Sequence, residues 1–193
     1  MKRTRVRAAA LGAIASLSLL AGCGTAQEAQ QQPASTQAPA KHHDEADVSF
    51  ARGMVVHHQQ AVEMSRLAAD RAGSPQVREL AEQIEAAQGP EIERLEGWLR
   101  DWGAAPAQHG GHGEDGQMHG MMSAEQLHGL SRASGADFDR RFLSMMIEHH
   151  EGAVRMARTE LDSGASPEAK RLAQGIIDTQ QAEIDTMRGL LAR

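Results

Sequence analysis

The stretch FARGMVVHHQQAVEMSR, from Phe50 to Arg66, decides the fold, because it returns 92 residues later as FLSMMIEHHEGAVRMAR, from Phe142 to Arg158. Within it Phe50, Met54, His57, Ala61, Met64 and Ala68 advance by alternating steps of four and three, which places all six on one stripe of an α-helix. Phe142, Met146, His149, Ala153 and Met156 repeat the stripe. The register holds beyond it without a gap. Ser74, Pro75, Leu80, Ala81, Ile84, Gln88, Glu91 and Ile92 match Ser166, Pro167, Leu172, Ala173, Ile176, Gln180, Glu183 and Ile184, and 18 of 49 positions are identical between 47–95 and 139–187. A duplicated unit that keeps His, Met, Gln and Glu beside its apolar positions has kept chemistry as well as packing.

Each striped helix runs into a Gly/Ser/Pro signal, Gly73-Ser74-Pro75 or Gly164-Ala165-Ser166-Pro167, in which Ser suits an N-cap and Pro the first position of a following helix. The following helices carry stripes of their own, Val77, Leu80, Ala81, Ile84, Gln88, Glu91, Ile92, Leu95 and Trp98 in one copy, and Leu172, Ile176, Gln180, Glu183, Ile184 and Met187 in the other. Two antiparallel hairpins, each with an apolar face it cannot bury alone, predict an all-α four-helix bundle. Gly89-Pro90 falls inside the second helix, where Pro removes a backbone donor; a kink is expected there, not a terminus.

The flanks set the compartment. Lys2, Arg3, Arg5 and Arg7 precede an apolar run from Ala8 to Leu20 that is too short for a membrane span and has the form of an export signal. It ends in Leu20-Ala21-Gly22-Cys23, which resembles the lipobox of bacterial lipoproteins and implies a lipidated Cys23 as the mature N-terminus. The organisation expected is a signal peptide over 1–22, a lipidated cysteine and flexible Gln/Ala/Pro/Ser tether over 23–45, and a bundle over 46–193. Hairpin one spans 46–102, a His/Met/Gly-rich link 103–136, and hairpin two 137–193. Cys23 is the only cysteine, which excludes an intramolecular disulfide. Loss of the four basic signal residues takes the formal charge from -6 to -10, which argues against nucleic acid as a partner and favours cations.

The stripes contain residues that a core tolerates badly. In a hairpin turning near residue 73, His57 falls opposite Gln88 and Glu91; in its copy, His149 falls opposite Gln180 and Glu183. Buried polar groups are costly unless paired, so this layer has a purpose. One reading is a structural network in which Glu accepts from His and Gln fills the remaining valences. The other is a metal site, with Glu or Gln as ligand or as the partner that fixes the imidazole tautomer. Met54 precedes His57 and His58 by three and four residues, and Met146 stands likewise before His149 and His150. Imidazole with thioether suits copper, above all Cu(I), and also Ag(I). Met64 and Met156, two turns further on, read as core filler, and His58 and His150 project away from the stripe centre, toward a helix boundary or solvent. The link offers a second cluster, His109, His112, Met118, His119, Met121 and Met122, read as a metal-capturing loop, and Ser123 to Gln126 reads as a capping box. His42 and His43 are a weaker cation candidate.

The repeated pattern of Met, two residues, His-His, two residues, Ala-Val, one residue, Met, followed by a helix with Gln and Glu-Ile, resembles the bacterial family called domain of unknown function 305, which includes CopM-like copper-binding proteins. The resemblance runs from about Asp47 to Leu191. It implies a ferritin-like four-helix bundle, export, and binding of copper or silver. Position by position it points to Met54, His57, His58, Met64, Met146, His149, His150 and Met156.

The function expected is extracytoplasmic sequestration or delivery of copper by a lipid-anchored protein, without catalytic turnover, and with a metal-exchange partner or a second copy of itself as candidate protein partners. A ferritin-like di-metal redox enzyme is the alternative, although the Glu-x-x-His signature of such bundles occurs only at Glu125 to His128, outside the repeat. A structural or interaction bundle with a satisfied polar core is the third reading.

Overall fold

The computed structural model describes residues 42–105 and 119–193. Helix α1 runs Glu45–Arg66, a short α2 Ala68–Arg71, α3 Pro75–Asp101, α4 Ala124–Arg132, α5 Gly135–Ser163 and α6 Pro167–Leu191. No strand occurs among the described residues; a single isolated bridge joins Ala72 to Gly135.

Local chemistry sets the helix starts. Ser74 and Ser166 each accept a backbone N–H, from Gln76 and Ala169, with Pro75 and Pro167 in the first turn. Ser123 and Gln126 close a capping box on α4, which runs on past His128 to Arg132. Asp44 and Asp47 close another on α1. Helix α3 continues through Gly89-Pro90 without ending.

Helix α1 packs on α3 and helix α5 on α6, and the two hairpins join through α1 against α5. Cross-helix pairs run in opposite directions along both members of each packing: Arg66 bonds Glu85 while His58 bonds Glu91, and on the central seam Ala72 meets Gly135 while His57 meets His149. The result is the duplicated, antiparallel, ferritin-like four-helix bundle.

The apolar core is in two pieces. One holds Met64, Leu80, Ile84, Leu130, Phe138, Phe142, Met146, Ile184 and Met187. The other holds Phe50, Met54, Leu95, Leu99, Ala153, Ala157, Leu172 and Ile176. Along every long helix the break between them falls at the polar layer: His57-His58 on α1, Gln88 on α3, His149-His150 on α5 and Gln180 on α6. Hydrophobic burial on both sides holds the layer in place.

Candidate metal centre

At the middle of the α1/α5 seam the imidazoles of His57 and His149 lie 3.8 Å apart between ring centroids, tilted by 42°. His58 and His150 flank them. All four are essentially buried, with His57, His58 and His150 at 0% exposure and His149 at 1%. The position of His58 and His150 departs from the sequence expectation of a helix boundary. Helix α1 has neighbours on two sides, so its buried arc is wide: His57 faces α5, while His58, one residue on, turns to α3.

The carboxylates accordingly pair with the second histidine of each pair, not the first. The Nε2 of His58 lies 2.8 Å from Glu91 Oε2, and the Nε2 of His150 lies 2.7 Å from Glu183 Oε2. A carboxylate only accepts, so in the neutral ring the proton sits on Nε2 and Nδ1 keeps its lone pair. His57 Nε2 approaches the backbone carbonyl of His119 at 3.3 Å, which assigns the same tautomer. The Nδ1 atoms of His57, His58 and His150 are buried with no hydrogen-bond partner, and neither ring nitrogen of His149 makes a hydrogen bond of ordinary geometry.

Burial, reinforced by the neighbouring His58, pushes the pKa of His57 down to about 3. Burial, with His57 and His150 beside it, takes His149 well below the usual imidazole value, against a small opposing pull from the His57 backbone. Both rings are therefore neutral at physiological pH, the form in which imidazole ligates a metal.

Met54 and Met146 are fully buried, one in each apolar cluster, each within one turn of its histidine pair. Among the described residues no three His, Cys, Asp or Glu side chains converge as a metal cage. The soft donors one helical turn from the histidine pairs in sequence are the thioethers of Met54 and Met146. The chemistry of the set fits a soft ion of low coordination number. Met64 is fully buried in the first cluster, and Met156, partly buried, packs against the second. Gln88 is buried with its amide unpartnered, and the Oε1 of Gln180 is likewise without a partner, so neither completes the network that the structural reading required.

The link is described in part. His109, His112 and Met118 lie outside the described residues, as do Cys23, the signal and most of the tether. His119 is exposed and Met121 half-buried, but Met122 is buried in the first apolar cluster. Its burial follows from a two-point backbone clamp: Gln60 Nε2 donates to the Met122 carbonyl at 3.0 Å, and the Met122 N–H donates to Gln60 Oε1 at 2.7 Å. His43 stacks on Trp102 at 4.8 Å.

Two acidic residues that the sequence reading passed over also do structural work. Asp47 accepts the N–H groups of Ala165 and Ser166 at 3.1 and 2.9 Å. Asp139, its copy, accepts those of Gly73 and Ser74 at 3.0 and 2.8 Å. The retained signal was their identity at equivalent positions of the repeat.

The sequence profile described as "Domain of unknown function (DUF305)" matches residues 47–191. The chain is similar to the crystal structure of a DUF305 fragment from Deinococcus radiodurans, at 36% identity and a TM-score of 0.71, over 78% of this chain and 98% of that one. It is similar to a Streptomyces coelicolor DUF305 protein inferred to be secreted, at 37% identity and a TM-score of 0.69, over 76% and 92%. It is also similar to CopM in its Cu(II)-bound form, at 34% identity and a TM-score of 0.64, over 76% and 95%. CopM has also been solved in Cu(I)-bound and Ag-bound forms. No curated protein matches the chain.

Proposed function

The chain belongs to the DUF305 family, and from that premise we propose that it is an extracytoplasmic copper-binding protein that takes up Cu(I), with Ag(I) as a chemical mimic, at the buried His/Met centre. The observation that carries this reading is the set of buried Nδ1 atoms left without a hydrogen-bond partner. His58 and His150 each donate a hydrogen bond from Nε2 to a glutamate, and each keeps a buried Nδ1 that nothing among the described residues satisfies. A purely structural layer would have paired those atoms, since a buried unsatisfied acceptor costs about 1–3 kcal/mol. A carboxylate behind the imidazole is the arrangement that orients a histidine toward a metal and raises its basicity.

In this reading the ligands are drawn from His57, His58 and Met54 on α1 and from His149, His150 and Met146 on α5. Glu91 and Glu183 position the outer rings, and the apolar clusters keep water and oxidants away from the reduced ion. Thioether and imidazole favour Cu(I) and Ag(I) over harder divalent ions. CopM, one-third identical over most of its length, was solved with copper and with silver, which supports the same choice of metal here. Sequestration or delivery, without turnover, is the use that suits a centre so enclosed. The lipobox-like Cys23 supports tethering to a bacterial membrane through lipid; among the described residues no helix is long and apolar enough to cross one.

Anaerobic titration with Cu(I) against a chromophoric chelator, on the soluble domain with and without residues 108–118, tests the proposal. Competition that survives the deletion supports the bundle as the principal site. Competition lost with the deletion would move binding to the link, and no competition by either form would overturn copper binding.

A further inference from the structure

The four imidazoles are 0–1% exposed, so an ion bound there needs a door. Toward either end of the bundle the way is filled by an apolar cluster, with Phe138, Phe142 and Ile184 on one side and Phe50, Leu95 and Ile176 on the other. Sideways, the α1/α5 seam is crossed by residues 119–122, which meet His57 and Gln60 through backbone and polar contacts, with the Met122 side chain set into the first apolar cluster. The His119 carbonyl accepts from His57 Nε2 at 3.3 Å, and Gln60 grips Met122 by two hydrogen bonds.

The duplication marks this crossing. Gln60 and Gly152 are equivalent positions of the two repeats, and both touch the strap, in opposite ways. Gln60 is the clamp. Gly152 is the gap, because a Cβ there would run into the His119 carbonyl and come within 3.0 Å of His57 Nε2. Gly120 completes the fit with a φ of +85°, a backbone conformation that glycine adopts freely, and a side chain there would strike the Glu148 carbonyl. The repeats therefore differ at a pair of equivalent helix positions that both meet the strap over their common seam.

We propose that residues 119–122 form the gate of the histidine centre, held shut by Gln60 and His57, and that a soft cation enters and leaves when the His119 carbonyl lifts away from His57. The inference rests on the metal-binding reading above and adds its route and its rate control. Opening the strap breaks three hydrogen bonds, the longest of them to His57 itself, and withdraws one large apolar side chain, Met122, whereas opening either end of the bundle exposes a whole cluster of them. Gln60 and Gly152 are positioning residues here: neither supplies a ligand, and their effect is on exchange.

The test is stopped-flow transfer of Cu(I), without oxygen, from the loaded protein to excess chelator, with amide hydrogen exchange at Met122 followed in parallel. Gln60→Leu removes the clamp, and transfer is expected to accelerate roughly tenfold or more, as loss of two hydrogen bonds implies. Gly152→Ala displaces the carbonyl by an independent route and is expected to accelerate transfer in the same direction. In both variants the Met122 amide exchanges faster while the amides of α1 and α5 stay protected. Cu(I) transfer at the parent rate in both variants would overturn the gate while leaving the metal site standing. Failure of the parent chain to hold Cu(I) would instead overturn the metal-binding reading, and the gate with it.

Discussion

Asp47 and Asp139, equivalent residues 92 positions apart, each hold the turn of the hairpin to which they do not belong. Asp47 on α1 accepts from the turn between α5 and α6, and Asp139 on α5 accepts from the turn between α2 and α3. The two hairpins are thereby cross-stapled at both ends of the α1/α5 seam, which fixes the level at which His57 meets His149. Each aspartate makes charge-assisted bonds to N–H groups near a helix start. Asp47→Ala is expected to cost about 2–3 kcal/mol in urea unfolding, and Asp139→Ala, which is less buried, about 1–2 kcal/mol. Equal and negligible losses would show that the staples do not set the hairpin packing.

The staple at Asp47 has a partner that its copy lacks. Glu160 is buried beside it, where the other repeat has Ala68. As two carboxylates the pair would have no donor between them, and Glu160 has none elsewhere. A proton on Glu160 supplies it: burial first, then the bond to Asp47 and its charge, push the Glu160 pKa up to about 8, with Asp44 adding to the rise and Lys170 opposing it. For Asp47, burial works upward but is outweighed by bonds from the Asp44, Ser166 and Ala165 backbone and from Glu160, and its pKa is lowered.

The sign for Glu160 follows from linkage. Its folded value lies above the ordinary 4.5, so its contribution is complete below about pH 4.5 and is lost as pH rises through about 8. Asp47 acts in the opposite sense at the acid end, contributing above its ordinary 3.8 and losing that contribution as pH falls. Glu160→Gln donates to Asp47 at every pH, so the variant is expected to gain on the parent by roughly 1–3 kcal/mol between mildly acidic and mildly alkaline conditions. Parallel stability curves for the two proteins across that window would contradict a shared proton.

Glu91 and Glu183 are predicted to matter twice. Glu91→Leu leaves the buried Nε2 of His58 without an acceptor, which is expected to cost about 1–3 kcal/mol of stability. The same change releases the tautomer, and Cu(I) affinity is expected to fall roughly 10–100-fold in chelator competition. A variant that loses stability but binds Cu(I) like the parent would assign the glutamates to the fold alone.

Met54→Leu and Met146→Leu separate packing from ligation. Leucine is close to methionine in volume, so each change is expected to shift stability by less than about 1.5 kcal/mol. Cu(I) affinity is expected to drop in each and further in the double variant, while Met64→Leu and Met156→Leu, which replace core filler, leave it near the parent value.

The bundle was legible because four stripes, two Ser-Pro starts and a gapless repeat all specify the same hairpins. The polar layer was legible as well, from Gln88 and Glu91 standing opposite the histidines. What escaped was the division of labour within each His-His pair. A single stripe centred on His57 gives α1 one face, whereas α1 packs on both α3 and α5, and that second contact buries His58 and gives it Glu91. Met122 escaped because a lone apolar residue in a link has no periodicity to betray it; its burial depends on Gln60, 62 residues away. The strap left little trace in the sequence: Gln60 against Gly152 is one mismatch among many between the two copies, and nothing in the sequence sets it apart.

The central claim is that one soft ion is held jointly by imidazole nitrogen and methionine sulfur inside the bundle. Copper-edge X-ray absorption on the Cu(I)-loaded protein lacking residues 108–118 reads the ligand atoms directly. The account predicts shells of both nitrogen and sulfur neighbours, with the sulfur shell abolished in the Met54→Leu/Met146→Leu double variant. A sulfur shell that persists unchanged in that variant, or a shell of light atoms alone in the parent, would contradict it.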